Sequence, residues 1–405
     1  MMIPFSPPYI DEDVINEVID SLKSGWITTG PKVKALEEEV SKITGIKNVL
    51  CVNSATSAMM LLLHWLGVGK GDEVIVPAYT YCATALAVMH LGADVVMIDV
   101  KEDFCIDTDK LKNAITTRTK AIVPVDIAGY PCDYDRIYEI INDEKIKKLF
   151  TADDEVQKKL GRIFVMADSA HSIGAIYKER KSGSLCDATV FSFHAVKNVT
   201  TAEGGAICIN LPEPFDNEEL YRWLRLLSLN GQTKDAFTKS LGGNWKYDII
   251  YPGFKINLSD VCAAVGLAQI RKYTDDLLIK RKNIFEEYNK EFSKFDWAEL
   301  PPHSMNERES SYHVYLLRIK NITEEKRDKI IEEINKREVA VNVHFIPLPL
   351  LTVFKERDYK IEDFPVSYDN YSREITLPVY PQLSQDNVNK IIKSVSDSYN
   401  IVMKN

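Results

Sequence analysis

Residues 186–209, CDATVFSFHAVKNVTTAEGGAICI, carry the pattern from which the fold is read. Two apolar runs rich in β-branched and aromatic residues, Ala188–Phe193 and Ala206–Ile209, predict two short strands. Between them lie one lysine, Lys197, small polar residues, and the pair Gly204 and Gly205, which predict an irregular connection. An ammonium set between buried strands is costly to desolvate, so it needs a partner or a covalent role. A desolvated lysine has a lowered pKa and becomes a nucleophile suited to Schiff bases with carbonyl compounds. Taken alone, the same residue fits an ordinary surface lysine on a hairpin loop, so the rest of the chain has to decide.

The chain has 405 residues, enough for two domains with sizeable cores. Its 45% apolar and 27% charged content are those of a globular protein, and its formal charge of −9 argues against electrostatic nucleic-acid binding. The longest apolar stretch, Ala83–Ile98, is broken by His90, Gly92 and Asp94, so no membrane span is expected. The opening MMIPFSPPYIDED lacks the basic start and apolar core of a signal peptide. Seven scattered cysteines form no CxxC or Cys/His cluster, so neither a zinc site nor a disulfide framework is indicated. A reduced, soluble, cytoplasmic protein is the expectation.

Outward from the quoted stretch, the pattern is strand–helix alternation. Strands are expected at Asn48–Val52, Glu73–Val76, Val95–Val100, Lys120–Val125 and Arg162–Ala167. Helices are expected at Thr56–Leu66, Cys82–Leu91, Asp109–Ile115 and Asp133–Ile141. The strands are apolar without polar alternation, which fits a parallel sheet buried on both faces. Two amphipathic helices, Asp11–Lys23 and Pro31–Ile43, precede them, separated by the turn SGWITTGP. The charge-rich Glu144–Gly161 reads as a surface insertion with some helix. Helices follow at Glu218–Leu229, Asp260–Lys272 and, as a long connector, Asp275–Phe292. Then come a strand at Ser311–Ile319, a helix at Thr323–Arg337, a strand at Val339–Phe345 and a last helix at Gln385–Tyr399. That change of rhythm predicts a smaller α+β domain, with the division at 1–270 and 271–405.

Ligands of such sheets bind beyond the carboxyl ends of the strands. Asn48–Val52 is followed by NSATSAM, a small-residue turn into a helix that is either a plain N-cap or a phosphate site. Glu73–Val76 is followed by PAYTYCAT, which brings Tyr79 and Tyr81 to the sheet mouth as core or rim tyrosines or as a platform for a flat ring. Arg162–Ala167 is followed by DSAHSIG, where Asp168 either caps a turn or faces a cationic ring nitrogen, near His171. Phosphate cradle, stacking aromatic, strand-end acid and buried lysine together match the needs of pyridoxal 5′-phosphate (PLP).

The segments SGWITTGPKVKALEEEV, NSATSAMMLLL, PAYTYCATALAV, ADSAHSIGA, FSFHAVKNVTTAEGG, YPGFKINLSDVCAAVGLAQI and ITLPVYPQLS resemble the DegT/DnrJ/EryC1/StrS family of PLP-dependent sugar aminotransferases. The resemblance spans nearly the whole chain. It implies an α/β, PLP fold type I architecture: a mostly parallel central sheet flanked by helices, with a smaller C-terminal α+β domain. By resemblance, Lys197 forms the Schiff base and Asp168 pairs with the pyridine nitrogen. Tyr81 stacks on the ring, Ala55, Thr56 and Ser192 meet the phosphate, and His171 lies near the cofactor O3′. Lys255 and Asn257, in GFKIN, reach into the partner's site in a homodimer with shared active sites. Substrate contacts fall to Trp26, Thr28 and His344.

The implied reaction takes an amino group from L-glutamate, leaves pyridoxamine 5′-phosphate as the intermediate form of the cofactor, and aminates a nucleotide-linked ketosugar. The 4-keto carbon of a 6-deoxy hexose is favoured, with the 3-keto carbon as alternative, for polysaccharide, glycan or glycoside biosynthesis. Two departures touch substrate-side positions: Asn230-Gly231-Gln232 stands for an HGQTK-like run, and Pro349 stands where relatives carry histidine. A PLP-dependent ketosugar dehydratase is the first rival, and Lys197 argues against it because such relatives carry histidine there. A different type I enzyme acting on amino acids alone is the second, disfavoured by SGWITTG and GFKINLSD, and a non-catalytic regulatory or scaffold homologue is the third, opposed by the presence of both Lys197 and Asp168.

Overall fold

The computed structural model describes residues 2–234, 246–305 and 307–404. Its centre is a seven-stranded sheet. In chain order the strands are β1 (Asn48–Val52), β2 (Glu73–Pro77), β3 (Asp94–Ile98), β4 (Thr119–Ile122), β5 (Phe164–Asp168), β8 (Ala188–Ser192) and β9 (Gly205–Ile209). In space they run β1-β9-β8-β5-β4-β2-β3. Strands β2, β4, β5, β8 and β9 are buried along their whole length. That is why they lack polar alternation.

The sheet departs from a purely parallel arrangement at β9, which is antiparallel to both β8 and β1. The cause is local: residues 193–204 turn the chain straight back without a crossover helix. The carboxyl ends of β2, β4, β5 and β8 therefore point to one edge, and the connection bearing Lys197 lies on that edge.

Helices cover the sheet. Helix α1 (Glu12–Lys23) starts where the Asp11 carboxylate accepts from Val14 N at 3.1 Å. Helix α2 (Pro31–Thr44) starts on proline and ends at Gly45 in the left-handed region, φ 76°. Helix α3 (Ala55–Trp65) follows β1, and α4 (Ala83–Met89) follows β2. The charge-rich insertion forms two short helices, Glu144–Leu149 and Glu155–Leu160. It packs at the amino ends of the strands, where Asp153 pairs with the buried Lys120 at 2.5 Å and Gln157 donates to Leu66 O at 3.0 Å. That edge is opposite the one that carries Lys197.

Two smaller sheets complete the fold. One joins β10 (Ala298–Glu299), β13 (Tyr315–Ile319) and β14 (Glu374–Leu377), all antiparallel. The other joins β6 (Ile176–Tyr177), β7 (Arg180–Lys181), β11 (Ser304–Met305) and β12 (Arg308–Glu309). The long connector helix begins at Leu278 rather than Asp275, because Tyr273–Leu277 winds as a π turn that aims the Tyr273 hydroxyl at Ile173 O, 2.8 Å away. The expected strand at Val339–Phe345 does not form. This segment makes only isolated bridges, Val339 with Ile3 and Asn342 with Thr376, before it turns over the large sheet. There Leu348 N donates to Ala78 O at 2.8 Å, and Leu348, Phe354 and Phe364 join the core around α3 and α4. Apolar side chains seated on a second surface outweigh a further run of ladder hydrogen bonds. Strand β14 was not anticipated from the sequence, nor was the helix Pro365–Arg373 before it.

Candidate active site

At the carboxyl edge of the sheet lies a cavity of about 450 Å³. Its wall includes Ser54, Ala55, Thr56, Tyr81, Asp168, His171, Ser192, Lys197 and His344, side chains from five separate stretches of sequence.

Lys197 sits in the connection between β8 and β9, whose path is fixed from within. Phe193 N donates to Gly204 O at 2.9 Å, Thr201 N to Phe193 O at 2.8 Å, and Lys197 N to His194 O at 2.9 Å. The next residue, Asn198, is clamped: its amide donates to Tyr273 OH at 3.0 Å and to Ser311 O at 2.8 Å. Its carbonyl takes the His313 Nδ1 proton at 2.8 Å. The Lys197 side chain keeps part of its surface open to the cavity, while protein surrounds the ammonium on its other sides. Burial pushes its pKa down to about 8, and the nearby Asp168 carboxylate opposes part of that shift.

Asp168 ends β5 and is 5% exposed. Thr84, on α4, donates its hydroxyl to Asp168 Oδ2 at 2.7 Å, and Ala170 N donates to Oδ1 at 3.2 Å. Burial raises the carboxyl's pKa, while the bond from Thr84, the bond from Ala170 and the charge of Lys197 hold it back. Behind it Asp126, also buried, accepts from the hydroxyls of Ser169 and Ser172 at 2.8 Å each and from Tyr134 OH at 2.8 Å. This second carboxylate fixes the loop that follows β5.

Ser54 caps α3, its hydroxyl accepting from Ser57 N at 3.1 Å. The N–H groups of Ala55 and Thr56 stand ahead of the first intrahelical bonds and border the cavity, at the positive end of the helix dipole. Gly205 is required here: a Cβ on it would lie 2.6 Å from Ala55 N. The cradle thus depends on a close approach of β9 to the helix terminus. Ser192 ends β8 beside it, its hydroxyl accepting from His194 N at 3.4 Å.

His171 is buried, and Ala128 N donates to its Nδ1 at 3.2 Å. Its Nε2 therefore carries the ring proton. Burial, with the charge of Lys197, keeps the imidazole neutral by pushing its pKa well down. Tyr81 borders the cavity but is 60% exposed, its ring centre 5.7 Å from that of Phe345.

Tyr79 lies behind this wall rather than at the mouth, fully buried, with its hydroxyl donating to His344 O at 2.6 Å, and four of the residues assigned by resemblance also lie outside the wall. Trp26 and Thr28 belong to the turn between α1 and α2, where the Trp26 indole donates to Thr29 O at 3.2 Å and Asp260 N to Thr28 O at 3.2 Å. Lys255 meets the side chain of Asn257, whose amide contacts the Thr29 hydroxyl at 2.6 Å. The segment of these two residues bridges Val52 at the end of β1 and Leu229. Conversely, Phe5, Ser6 and His313 line the cavity without having been singled out from the sequence. Phe5 lies in a proline-rich opening without periodicity, so nothing local marks it. Thr84 was also missed, although its place one turn beyond Thr80 on α4 is a legible signal.

The sequence profile of the DegT/DnrJ/EryC1/StrS aminotransferase family matches residues 8–396. The spore coat polysaccharide biosynthesis protein SpsC of Bacillus subtilis is 36% identical over 400 residues, covering 98% of this chain and 96% of SpsC. Spr1654 of Streptococcus pneumoniae, assigned as a sugar aminotransferase, superposes in its PLP form with a TM-score of 0.94 at 44% identity, covering 99% of this chain and all of that one (100%). PseC of Helicobacter pylori, an aminotransferase of pseudoaminic acid biosynthesis, gives a TM-score of 0.84 at 27% identity, covering 99% and 100% of the two chains. The chain belongs to the DegT/DnrJ/EryC1/StrS aminotransferase family, and it is an enzyme of the sugar aminotransferase class. No helix among the described residues is long and apolar enough to cross a membrane.

Proposed function

We propose that the protein transfers the amino group of L-glutamate to a nucleotide-linked ketosugar, with PLP held by Lys197. The observation that carries this reading is the convergence of Lys197, Asp168 and the α3 terminus on one cavity. The donor set suits the cofactor. An amine of pKa about 8 is available to bind an aldehyde, a buried acid is available to a ring nitrogen, and free N–H groups at a helix start are available to a phosphate.

When bound, PLP supplies an electron sink for the pair left when the donor's α-proton is removed. The chain's own residues do the rest. Ala55, Thr56 and Ser192 hold the phosphate. Asp168 keeps a proton at the ring nitrogen, and Thr84 keeps Asp168 aimed. Tyr81 supports the ring, and the Nε2–H of His171 is a donor for the ring oxygen. Lys197 takes the donor's α-proton on Nζ, which its lowered pKa suits it to do. Lys255 and Asn257, outside the wall of their own cavity, serve the site of a second subunit in a homodimer. Trp26, Thr28 and His344 meet the sugar nucleotide. The 4-keto carbon of a 6-deoxy hexose remains the favoured acceptor. A cytoplasmic enzyme with its division at 1–270 and 271–405 belongs to the same reading.

Borohydride reduction of the holoenzyme followed by peptide mapping tests the covalent claim, with the adduct expected at Lys197. Glutamate added to the holoenzyme should release 2-oxoglutarate equimolar with cofactor. No release from enzyme that carries the cofactor would reject the donor. UDP- and dTDP-linked 3- and 4-ketosugars then test the acceptor.

A further inference from the structure

Glu374 opens β14 and is fully buried. Its Oε1 accepts from the Thr376 hydroxyl at 2.6 Å, and its Oε2 accepts from His344 N at 3.1 Å. The Thr376 hydroxyl in turn lies 3.0 Å from His344 Nδ1. His344 lines the cavity that holds Lys197. Its place is fixed independently: Tyr79 OH donates to its carbonyl at 2.6 Å, and the Phe5 ring stacks on the imidazole at 5.4 Å. A continuous file of hydrogen-bonding groups thus runs from an interior carboxylate to the catalytic cavity.

Among the described residues no ion pair neutralises that carboxylate, although the charges of Arg327 and Arg318 lie close enough to oppose part of the rise in its pKa. The charged and titratable groups facing Glu374 are Arg318, Arg327, Tyr79 and, through its N–H, His344. Arg327 donates to the Glu374 and Tyr371 carbonyls, and Arg318 pairs with Glu299, so neither guanidinium forms an ion pair with the Glu374 side chain among the described residues. Burial raises the Glu374 pKa to about 8, so it can store a proton near neutral pH. His344 faces Lys197, His171 and His313, and burial with the charge of Lys197 holds it at about 3. It stays a neutral imidazole, which passes a proton on rather than keeping it.

We propose that Glu374, Thr376 and His344 form a proton relay, with Glu374 as the store and His344 Nε2 as the group that exchanges protons with a bound ligand. In the delivering direction the Glu374 O–H, Thr376 O–H and His344 Nε2–H bonds break. New bonds form from hydrogen to Thr376 Oγ1, to His344 Nδ1 and to the ligand oxygen. The carboxylate ends with one negative charge, and the ligand gains one positive charge. A carbonyl oxygen that leaves as water when an amine replaces it needs such a proton, and in the reverse direction, when water supplies the carbonyl oxygen of the released 2-oxo acid, the same file takes the proton back to Glu374. This use of the relay rests on the transamination reading above. Glu374 and Thr376 act through His344 and are positioning residues.

Two measurements separate the relay from that reading. Infrared difference spectra across a pH titration of the cofactor-free protein should show a carboxylic acid C=O component that grows as the pH falls through about 8 and is lost in Glu374→Gln, while the component of Glu37, at about 7, is lost only in Glu37→Gln. In the holoenzyme, Thr376→Val should lower the single-turnover rate with glutamate by on the order of a hundredfold, and Thr376→Ser should restore it to within about twofold. A Glu374→Gln spectrum equal to that of the wild type, or a Thr376→Val rate within about twofold of it, overturns the proposal. A wild-type holoenzyme inert to glutamate rejects the donor instead, and the infrared result then decides the relay.

Discussion

Asp168 and Lys197 illustrate how burial sets chemistry at the scale of single residues. Burial acts on both, favouring a neutral amine and a neutral acid, and each side chain's charge resists the other's shift. The balance leaves a lysine that titrates at about 8 beside an acid held in place by Thr84. Asp168→Asn keeps the shape and an acceptor for the Thr84 hydroxyl but carries no charge to hold a proton at a ring nitrogen. We expect its glutamate half-reaction to slow by about 10²–10⁴-fold. Its melting temperature without cofactor should stay at or above the wild-type value, because a carboxylate disfavoured by burial has been removed. Stopped-flow absorbance and calorimetry check the two halves of this expectation.

At the scale of elements, the sheet edge is secured by a second buried acid. Glu37, on α2, accepts from Cys51 N of β1 at 2.9 Å and from Tyr221 OH at 3.0 Å, with Arg225 at 3.6 Å. It thereby satisfies a donor on a strand at the edge of the sheet, whose outer side is bridged among the described residues at Val52, by Asn257. Glu37→Ala leaves that N–H without an acceptor and the Tyr221 hydroxyl with only its bond from Arg225, and should cost about 2–4 kcal/mol of stability. Burial raises the Glu37 pKa from 4.5 to about 7. Between those values the folded state binds the extra proton, so this contribution is complete below 4.5 and is lost as the pH rises through about 7. Denaturant titrations across that range should show a shallower slope in Glu37→Gln than in the wild type, because Glu374 still contributes one. The α2 helix itself was legible, from Pro31 and its apolar spacing. The role of Glu37 was not, since it depends on Tyr221, which lies 184 positions away.

On the scale of the whole molecule, the C-terminal half closes the cavity built by the N-terminal half. Ser311 N donates to Gly129 O at 3.1 Å, His313 clamps Asn198, and His344 and Phe345 roof the pocket. If Lys255 serves a second subunit's site, two inactive variants should complement. Lys197→Ala mixed, unfolded and refolded with Lys255→Ala should regain about a quarter of the wild-type activity, because half the dimers are mixed and each has one intact site. No regain would place Lys255 in its own chain's site or outside catalysis.

What the sequence determined by itself is the strands of the sheet, its covering helices, the place of Asp168 at a strand end, the place of Lys197 in the connection between two strands, and the small-residue turn at Ala55–Thr56. These follow from apolar runs, caps and turns, which are local signals. Val339–Phe345 shows the limit: its composition reads as a strand, yet the chain leaves the small sheet to seat Leu348 and Phe354 on the large one. Only the tertiary structure decided that Phe5, His313 and His344 share one cavity, that Thr84 holds Asp168 there, and that Glu374 reaches it through Thr376. Those contacts join segments far apart in the chain, and packing between distant surfaces leaves no periodicity in the sequence of either one.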